Sequence, residues 1–122
     1  MEWLRIFTST EMVRVAADEI VYVRADGNYS DLMLTSGNCR KMTFQIHYFD
    51  ERFQQLRKNM FVRVGRSLIV NKRYIYVINL TDQLLLFSGQ QIKAEIAPVR
   101  VSREALKQLR EQLKNENLGD YE

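Results

Sequence analysis

Apolar and polar residues alternate over short runs along most of the chain, a pattern that predicts β-strands. The runs lie at 12–16, 20–24, 29–34, 39–42, 61–64, 68–70, 74–80, 83–87 and 90–96. They contain many valine, isoleucine and aromatic residues, which favour a pleated sheet. Glycine-containing turns at 36–38 and 88–89 predict hairpins, so the sheets are expected to be mostly antiparallel.

Two segments show the helical period instead. In the first, Thr43 is the predicted N-cap and Asn59 the predicted stop. In the second, Ser102 is the predicted cap. The apolar stripes of the two helices are Ile46, Phe49, Phe53 and Leu56, and then Ala105, Leu106, Leu109 and Leu113. The predicted fold class is α+β, mainly β with two helices, in one domain at 1–114, and the polar residues 115–122 are predicted to form a tail.

Composition and length fit one folded domain. The chain has 122 residues, of which 46% are hydrophobic and 27% charged. A single cysteine, Cys39, excludes an internal disulfide. The sequence has no apolar run long enough for a membrane helix, and its start lacks the apolar core of a signal peptide. A cytoplasmic protein without a membrane partner is therefore expected.

The basic residues are unevenly distributed along the chain. Residues 63–103 contain seven basic and two acidic side chains, whereas residues 104–122 contain three basic and five acidic ones. A basic body with a slightly acidic end suits a polyanionic partner. An arginine-rich solvated surface is the alternative, since the net charge is only +3.

The segment 61–71 carries the most specific chemistry. Arg63 and Arg66 flank Gly65, and Ser67 follows before an apolar run. The step at 65–67 predicts a kink or short loop between two strands. Guanidinium and hydroxyl groups at a strand end suit phosphate oxygens or guanine edges. Asn71 is expected to bond the backbone where the second strand ends.

Catalytic and metal-binding constellations are missing from the sequence. The lone His47 has no cysteine, histidine or carboxylate at ligand spacing, and Cys39 has no partner base. No phosphate-cradling glycine loop and no nucleophile elbow occur. We therefore expect no enzyme activity, no cofactor, no metal and no small-molecule substrate.

Four segments, at 20–30, 43–56, 61–71 and 97–100, resemble a LytTR-type domain in the order of that family. LytTR domains are the DNA-binding output modules of many bacterial response regulators in two-component systems. The resemblance implies an elongated fold of small antiparallel sheets whose loops enter successive major grooves. It also implies sequence-specific binding of double-stranded DNA in transcription regulation. The roughly 19 residues before Ile20 are too few for a receiver domain, so a stand-alone regulator or a piece of a larger protein is expected.

Residue by residue, the resemblance places Asn28 and Arg100 at base-reading positions. It places Arg66 and Ser67 on the segment that contacts the DNA backbone. Two positions depart from the family pattern. Gly65 stands where histidine is usual, which removes one candidate contact and leaves the local backbone freer. Val99 stands where serine usually precedes the arginine.

Each candidate contact has a structural alternative. Arg100 can bridge guanine O6 and N7 or simply be an exposed arginine beside the helix start. Asn28 can pair with adenine, although an asparagine that tolerates positive φ in a turn fits Asn28 nearly as well. Arg63 can reach a phosphate or lie along the sheet. Lys72 and Arg73 can clamp phosphate or occupy a solvated turn. The hydroxyl of Ser67 can donate to phosphate or satisfy a backbone group.

The alternative function is a protein-interaction module that uses the same fold without binding DNA. Trp3 and Phe7 are expected to cover the edge of the first sheet or a partner chain. The all-apolar run at 84–87 indicates a strand covered on both faces, a weak sign of a dimer. On DNA, two copies on repeated half-sites are a further expectation.

Overall fold

Ten strands in three antiparallel sheets and two helices make up the computed structural model, which describes residues 1–116. The helices are α1 (Ile46–Gln54) and α2 (Arg103–Glu116). The strands are β1 (Trp3–Phe7), β2 (Met12–Ala16), β3 (Ile20–Asp26), β4 (Tyr29–Leu34), β5 (Cys39–Met42), β6 (Phe61–Val64), β7 (Leu68–Asn71), β8 (Ile75–Asn79), β9 (Leu84–Phe87) and β10 (Val99–Arg100). The predicted fold class is confirmed.

A five-stranded sheet in the order β5-β4-β3-β7-β6 forms the centre of the molecule. The β1–β2 hairpin and a three-stranded sheet in the order β10-β9-β8 accompany it. Within the central sheet, Leu68 at the start of β7 lies opposite both Arg24 of β3 and Val64 of β6. The predicted loop at 65–67 is therefore the tight turn of the β6–β7 hairpin, next to the end of β3.

The central sheet is covered on both faces. On one face, Val23 and Ile69 pack in a cluster with residues of α1 and the β1–β2 hairpin. On the other face, Tyr22 and Val70 pack in a second cluster with residues of β9 and α2. Strands buried on both sides require nearly continuous apolar sequence, which explains the runs at 20–23 and 68–70.

Asn71 is a fully buried polar residue at the end of β7. Its side-chain Nδ2 donates to the carbonyl of Ile20 at 3.0 Å, and its Oδ1 accepts from the backbone N–H of Arg73, also at 3.0 Å. The amide therefore joins the start of β3 to the end of β7, and the predicted structural role of Asn71 is confirmed.

The first helix starts later than the sequence indicated. Gln45, not Thr43, is the residue that precedes α1, and α1 ends at Gln54, before Leu56 and the predicted stop at Asn59. The carbonyl of Phe44 accepts a hydrogen bond from buried Ser30 (2.7 Å). This contact holds the segment before α1 on β4, outside the helix. In α2, by contrast, Ser102 Oγ accepts the N–H of Ala105 at 3.2 Å, which confirms the predicted cap.

The predicted strand at 90–96 is wrong. The third strand of its sheet is β10, whose Val99 lies opposite Leu85. The 90–96 segment instead crosses the β4–β5 connection, where Lys93 donates its backbone N–H to the carbonyl of Thr35 (2.7 Å). There Gly37 leaves so little room that a Cβ would sit 2.7 Å from the Cβ of Ala94.

Residues 3–7 form a strand that the sequence pattern did not reveal. In β1, Leu4 and Ile6 face the core while Trp3 and Phe7 point outward and are exposed. The expectation that Trp3 and Phe7 cover the edge of the first sheet is therefore wrong, and cover by a partner chain stays a prediction. At the other end of the chain, α2 includes residues 115 and 116 of the predicted tail, and the rest of that tail lies outside the described residues.

We predict that Asn71→Ala lowers the free energy of unfolding by about 2–4 kcal/mol, because it leaves the buried carbonyl of Ile20 and the partly buried N–H of Arg73 unpaired. Urea denaturation followed by circular dichroism measures this loss. Asn59→Ala, at an exposed position, is the matched control and should change the free energy by less than about 0.5 kcal/mol. Equal midpoints for the two variants would contradict the role given to Asn71.

Candidate nucleic-acid interface

The turns that carry the candidate residues lie together at one end of the strands of the central sheet, which we call the sheet edge. The edge lies at the end of β3, where Asp26 is opposite Tyr29 and Arg24 is opposite Leu68. Because all neighbouring strands are antiparallel, the β3–β4 turn, the β6–β7 turn and the segment 43–45 after β5 all meet there. At this edge the strands extend beyond the core that covers both faces of the sheet, so their polar side chains can reach solvent.

A shallow cleft of about 200 Å³ lies between the β6–β7 turn and the start of α2. Its polar lining comes from three arginines and two serines: Arg24, Arg66, Arg100, Ser67 and Ser102. The structure thus brings together Arg66, Ser67 and Arg100, which the sequence singled out. Arg24 and Ser102 join them. Sequence reasoning did not assign Arg24 a role; the available signal was its place directly after the apolar run at 20–23.

The β6–β7 turn is held from both sides. Gly65 has φ +64°, a backbone conformation that residues other than glycine rarely adopt. The guanidinium of Arg63 donates to the carbonyl of Arg66 at 2.6 Å. The backbone N–H of Ala25 donates to the carbonyl of Ser67 at 2.8 Å. These bonds fix the backbone that presents Arg66 and Ser67 to the cleft.

Arg63 itself is engaged elsewhere. Its Nη1 lies 3.0 Å from Asp50 Oδ2 of α1, and its side chain is about one third exposed. Through this ion pair and its bond to the carbonyl of Arg66, Arg63 ties the β6–β7 turn to α1. The geometry makes it a support for the turn.

Arg100 lies within β10, opposite Leu84. The preceding Val99 is buried in the core, so the position where the family usually has serine carries packing here. Just after Arg100, the N–H of Val101 donates to the carbonyl of Gln83 at 3.0 Å. Ser102 then starts α2, whose positive dipole end therefore lies at the cleft.

Asn28 lies in the β3–β4 turn, apart from the residues that line the cleft. Its Oδ1 accepts a hydrogen bond from Gln45 Nε2 at 3.1 Å. Gly27, with φ +62°, takes the left-handed position of this turn. A need for positive φ therefore does not explain the asparagine at 28.

In the strands near Asn28, two carboxylates surround one ammonium group. Lys41 Nζ lies 2.7 Å from Asp26 and 2.9 Å from Asp31. These hydrogen bonds raise the pKa of Lys41 and hold the pKa of Asp26 below its usual value. Within residues 1–116, by contrast, none of the three cleft arginines forms an ion pair.

Lys72 and Arg73 lie at the opposite end of β7, about 13 Å along the strand from the cleft. Lys72 Nζ is 2.9 Å from Glu116 Oε1, and Arg73 Nη1 is 3.2 Å from Asp18 Oδ1. The structure therefore separates these two residues from Arg66, Ser67 and Arg100.

Neither a metal centre nor a membrane span is found in the described part of the chain. Among residues 1–116, no three His, Cys, Asp or Glu side chains are grouped so that they could hold a metal ion. No helix in the same range is long and apolar enough to cross a bilayer. Burial raises the pKa of the Cys39 thiol, which favours its protonated form.

Comparison with known proteins identifies the fold and the family. A solved LytTr DNA-binding domain from a Bacillus cereus protein, described as a methyl-accepting/DNA response regulator, superposes with a TM-score of 0.64. It is 21% identical, and the match covers 93% of this chain and 97% of that one. No curated protein sequence matches the chain. The family model of the LytTr DNA-binding domain matches residues 10–114, which include the whole cleft. The chain therefore belongs to the LytTR family of DNA-binding domains.

Proposed function

We propose that this chain is a bacterial transcription regulator of the response-regulator type that binds double-stranded DNA sequence-specifically in the cytoplasm. The observation that carries the proposal is the convergence of Arg24, Arg66 and Arg100, without ion-pair partners among residues 1–116, at one edge of the sheet. Its family is one of DNA-binding domains and not of enzymes. Unpaired arginines at the ends of rigid strands suit the phosphates and guanine edges of a duplex.

Arg100 and Asn28 are the residues proposed to read bases. Arg100 is exposed on β10, whose backbone pairs with β9 and is held just beyond Arg100 by the hydrogen bond from Val101 to Gln83, so its guanidinium can be aimed at guanine O6 and N7. Asn28 is exposed in the β3–β4 turn of the same sheet edge. An asparagine amide matches the N6 and N7 groups of adenine.

Arg66 and Ser67 are proposed to contact the DNA backbone. Both are exposed in the β6–β7 turn, whose backbone is held by the hydrogen bonds from Arg63 and Ala25. Contacts to phosphate set position and orientation but carry no sequence information. Arg66 and Ser67 therefore supply affinity, while base-reading residues supply discrimination.

Arg63, Lys72 and Arg73 stay predicted backbone contacts, and their ion pairs weaken them as candidates. Each must give up a carboxylate partner, at 2.9 to 3.2 Å, before it can bind a phosphate. For Arg63 we propose a positioning role, since it holds the turn of Arg66. Lys72 and Arg73 are proposed to reach phosphates outside the central contact.

Arg100→Ala is expected to lose discrimination at one guanine of the operator, by about 1–3 kcal/mol. Arg66→Ala is expected to weaken all duplexes alike and to flatten the salt dependence of binding by about one unit of slope. Selection from a randomised duplex library at about 0.15 M salt, followed by titrations of the recovered site, measures both effects. Arg14→Ala removes another exposed arginine, from the β1–β2 hairpin, and is the charge control.

Two results would overturn this proposal. No enrichment of any sequence by the wild-type protein would remove sequence-specific binding as its function. Equal, small effects from Arg100→Ala and Arg66→Ala would remove the division between base and backbone contacts.

Arg63→Gln tests the positioning role. We expect faster hydrogen exchange at the Ala25 amide, which donates to the carbonyl of Ser67, because the turn loses the hydrogen bond from Arg63 to the carbonyl of Arg66. DNA affinity should fall about threefold, and in the Arg66→Ala background the substitution should have no further effect. Arg5→Gln, an exposed arginine of β1, serves as the control. An Arg63→Gln effect that persists unchanged without Arg66 would show direct contact with DNA instead.

A second candidate function, contact with a second copy of the chain, is favoured by the outer face of the β1–β2 hairpin. Phe7 and its cross-strand partner Met12 are 66% and 49% exposed, and Trp3 on the same strand is 45% exposed. Large apolar side chains grouped on a surface are typical of protein interfaces.

Sedimentation velocity tests this contact. The average mass of the wild-type protein should rise between micromolar and submillimolar concentrations, while Phe7→Glu stays at the monomer mass and keeps its DNA affinity. Thr10→Glu, on the exposed connection of the same hairpin, controls for the added charge. A wild-type protein that remains monomeric throughout would exclude a second copy as the occupant of this face.

A further inference from the structure

We propose that Arg24, together with Arg66 and Ser67, forms an oxyanion site for one phosphate group in the cleft between the β6–β7 turn and α2, beside the base-reading Arg100. The inference rests on the proposed function, because a phosphodiester of the DNA backbone is the expected source of that phosphate. Free phosphate is the other source with the same chemistry. A specific role for Arg24, as a ligand of this phosphate, goes beyond the base and backbone contacts assigned above.

Arg24 is placed in the cleft by the register of the central sheet. It lies opposite Leu68 of β7, directly beyond the turn that carries Arg66 and Ser67. It shares a face of β3 with Tyr22, and its guanidinium carbon lies 5.9 Å from the centroid of that ring. The tyrosine is itself buried. A rigid strand and a buried ring therefore support this side chain, whereas a loop would leave it mobile.

The charge of Arg24 is not balanced by the carboxylate opposite it in the sheet. Asp31 is its cross-strand neighbour on β4, but Lys41 Nζ holds Asp31 at 2.9 Å. Five other basic side chains of residues 1–116 form ion pairs: Arg40, Lys41, Arg63, Lys72 and Arg73. Arg24, Arg66 and Arg100 are unpaired within the same residues and share one cleft. Like charges gathered in a concave site attract an anion.

Neutral donors complete the site. Ser67 and Ser102 line the cleft. The Oγ of Ser102 accepts the N–H of Ala105, which leaves its own O–H free to donate to an anion. The cleft volume of about 200 Å³ is several times the share of one water in the liquid, about 30 Å³. A phosphate group therefore fits, and guanidinium groups bind its oxygens in pairs.

The arrangement has a consequence for the free protein. Three arginines without counter-charges repel one another, so removing one charge should stabilise the unbound fold and weaken the bound state. A residue that only packs against Tyr22 would show the opposite effect on stability when it is shortened. The two readouts together therefore separate a binding role for Arg24 from a structural one.

The first arm of the test measures DNA binding by fluorescence anisotropy with a mixed-sequence duplex at several salt concentrations. Arg24→Gln is expected to weaken binding about tenfold and to reduce the salt slope by about one. Arg24→Lys keeps the charge and should keep the slope while losing part of the affinity. Arg14→Gln, an exposed arginine that lies over the Trp3 ring of the hairpin, should leave both quantities unchanged.

The second arm measures thermal unfolding in sodium phosphate and in sodium chloride of equal ionic strength. Phosphate should raise the midpoint of the wild-type protein by a few degrees and that of Arg24→Gln by much less. In chloride, Arg24→Gln should unfold at or above the wild-type temperature. These measurements use the full chain and require no operator.

The outcomes separate the two proposals. Wild-type DNA binding with an unchanged salt slope in Arg24→Gln overturns the role of Arg24 and leaves the DNA function standing. Stabilisation by phosphate that needs Arg24, in a protein that binds no duplex, supports the oxyanion site with free phosphate as its source and overturns the DNA function. A lower midpoint of Arg24→Gln in chloride, with no phosphate effect on the wild type, overturns the site.

Discussion

The burial of β3 and β7 on both faces is the constraint on which the rest of the structure depends. Val23 and Ile69 pack against α1 and the hairpin, while Tyr22 and Val70 pack against the third sheet and α2. A charged side chain in the middle of either strand would be buried without water or a partner, at a cost of several kcal/mol. Charged functional side chains of these strands can therefore reach solvent only at the strand ends.

The two ends of this central pair are used differently. At one end, Asn71 closes the sheet by bonding Ile20 and the backbone of Arg73, and the cations there are paired with carboxylates. At the other end, Arg24 and the β6–β7 turn open into the cleft without such partners. One end of the strands thus stabilises the fold, whereas the opposite end presents unpaired positive charge that suits a polyanion.

The sequence was sufficient where local pattern and tertiary structure agree. The strands of the central sheet, the turn at Gly65 and the cap at Ser102 follow from residue types within a few positions. The strand at 3–7 was missed because its partner β2 and the core beneath it define it, and the segment 90–96 was mistaken for a strand because its contact with Gly37 is distant in sequence. Arg24 was missed because its face depends on the irregular register between Ile20 and Tyr22.

A small set of contacts also limits how tightly one chain can hold DNA. Arg24, Arg66 and Arg100 are gathered in one cleft, so they address neighbouring groups on a duplex and cannot span a long site. Neutralising only a few phosphates gives modest affinity that falls with salt. Two copies on adjacent sites would convert the second binding step into an intramolecular one, and affinity would rise without any new residue in the cleft. The burial that confines the arginines to one strand end thus leaves each chain one short, rigid contact surface, and we propose that a second chain on an adjacent site supplies the remaining affinity.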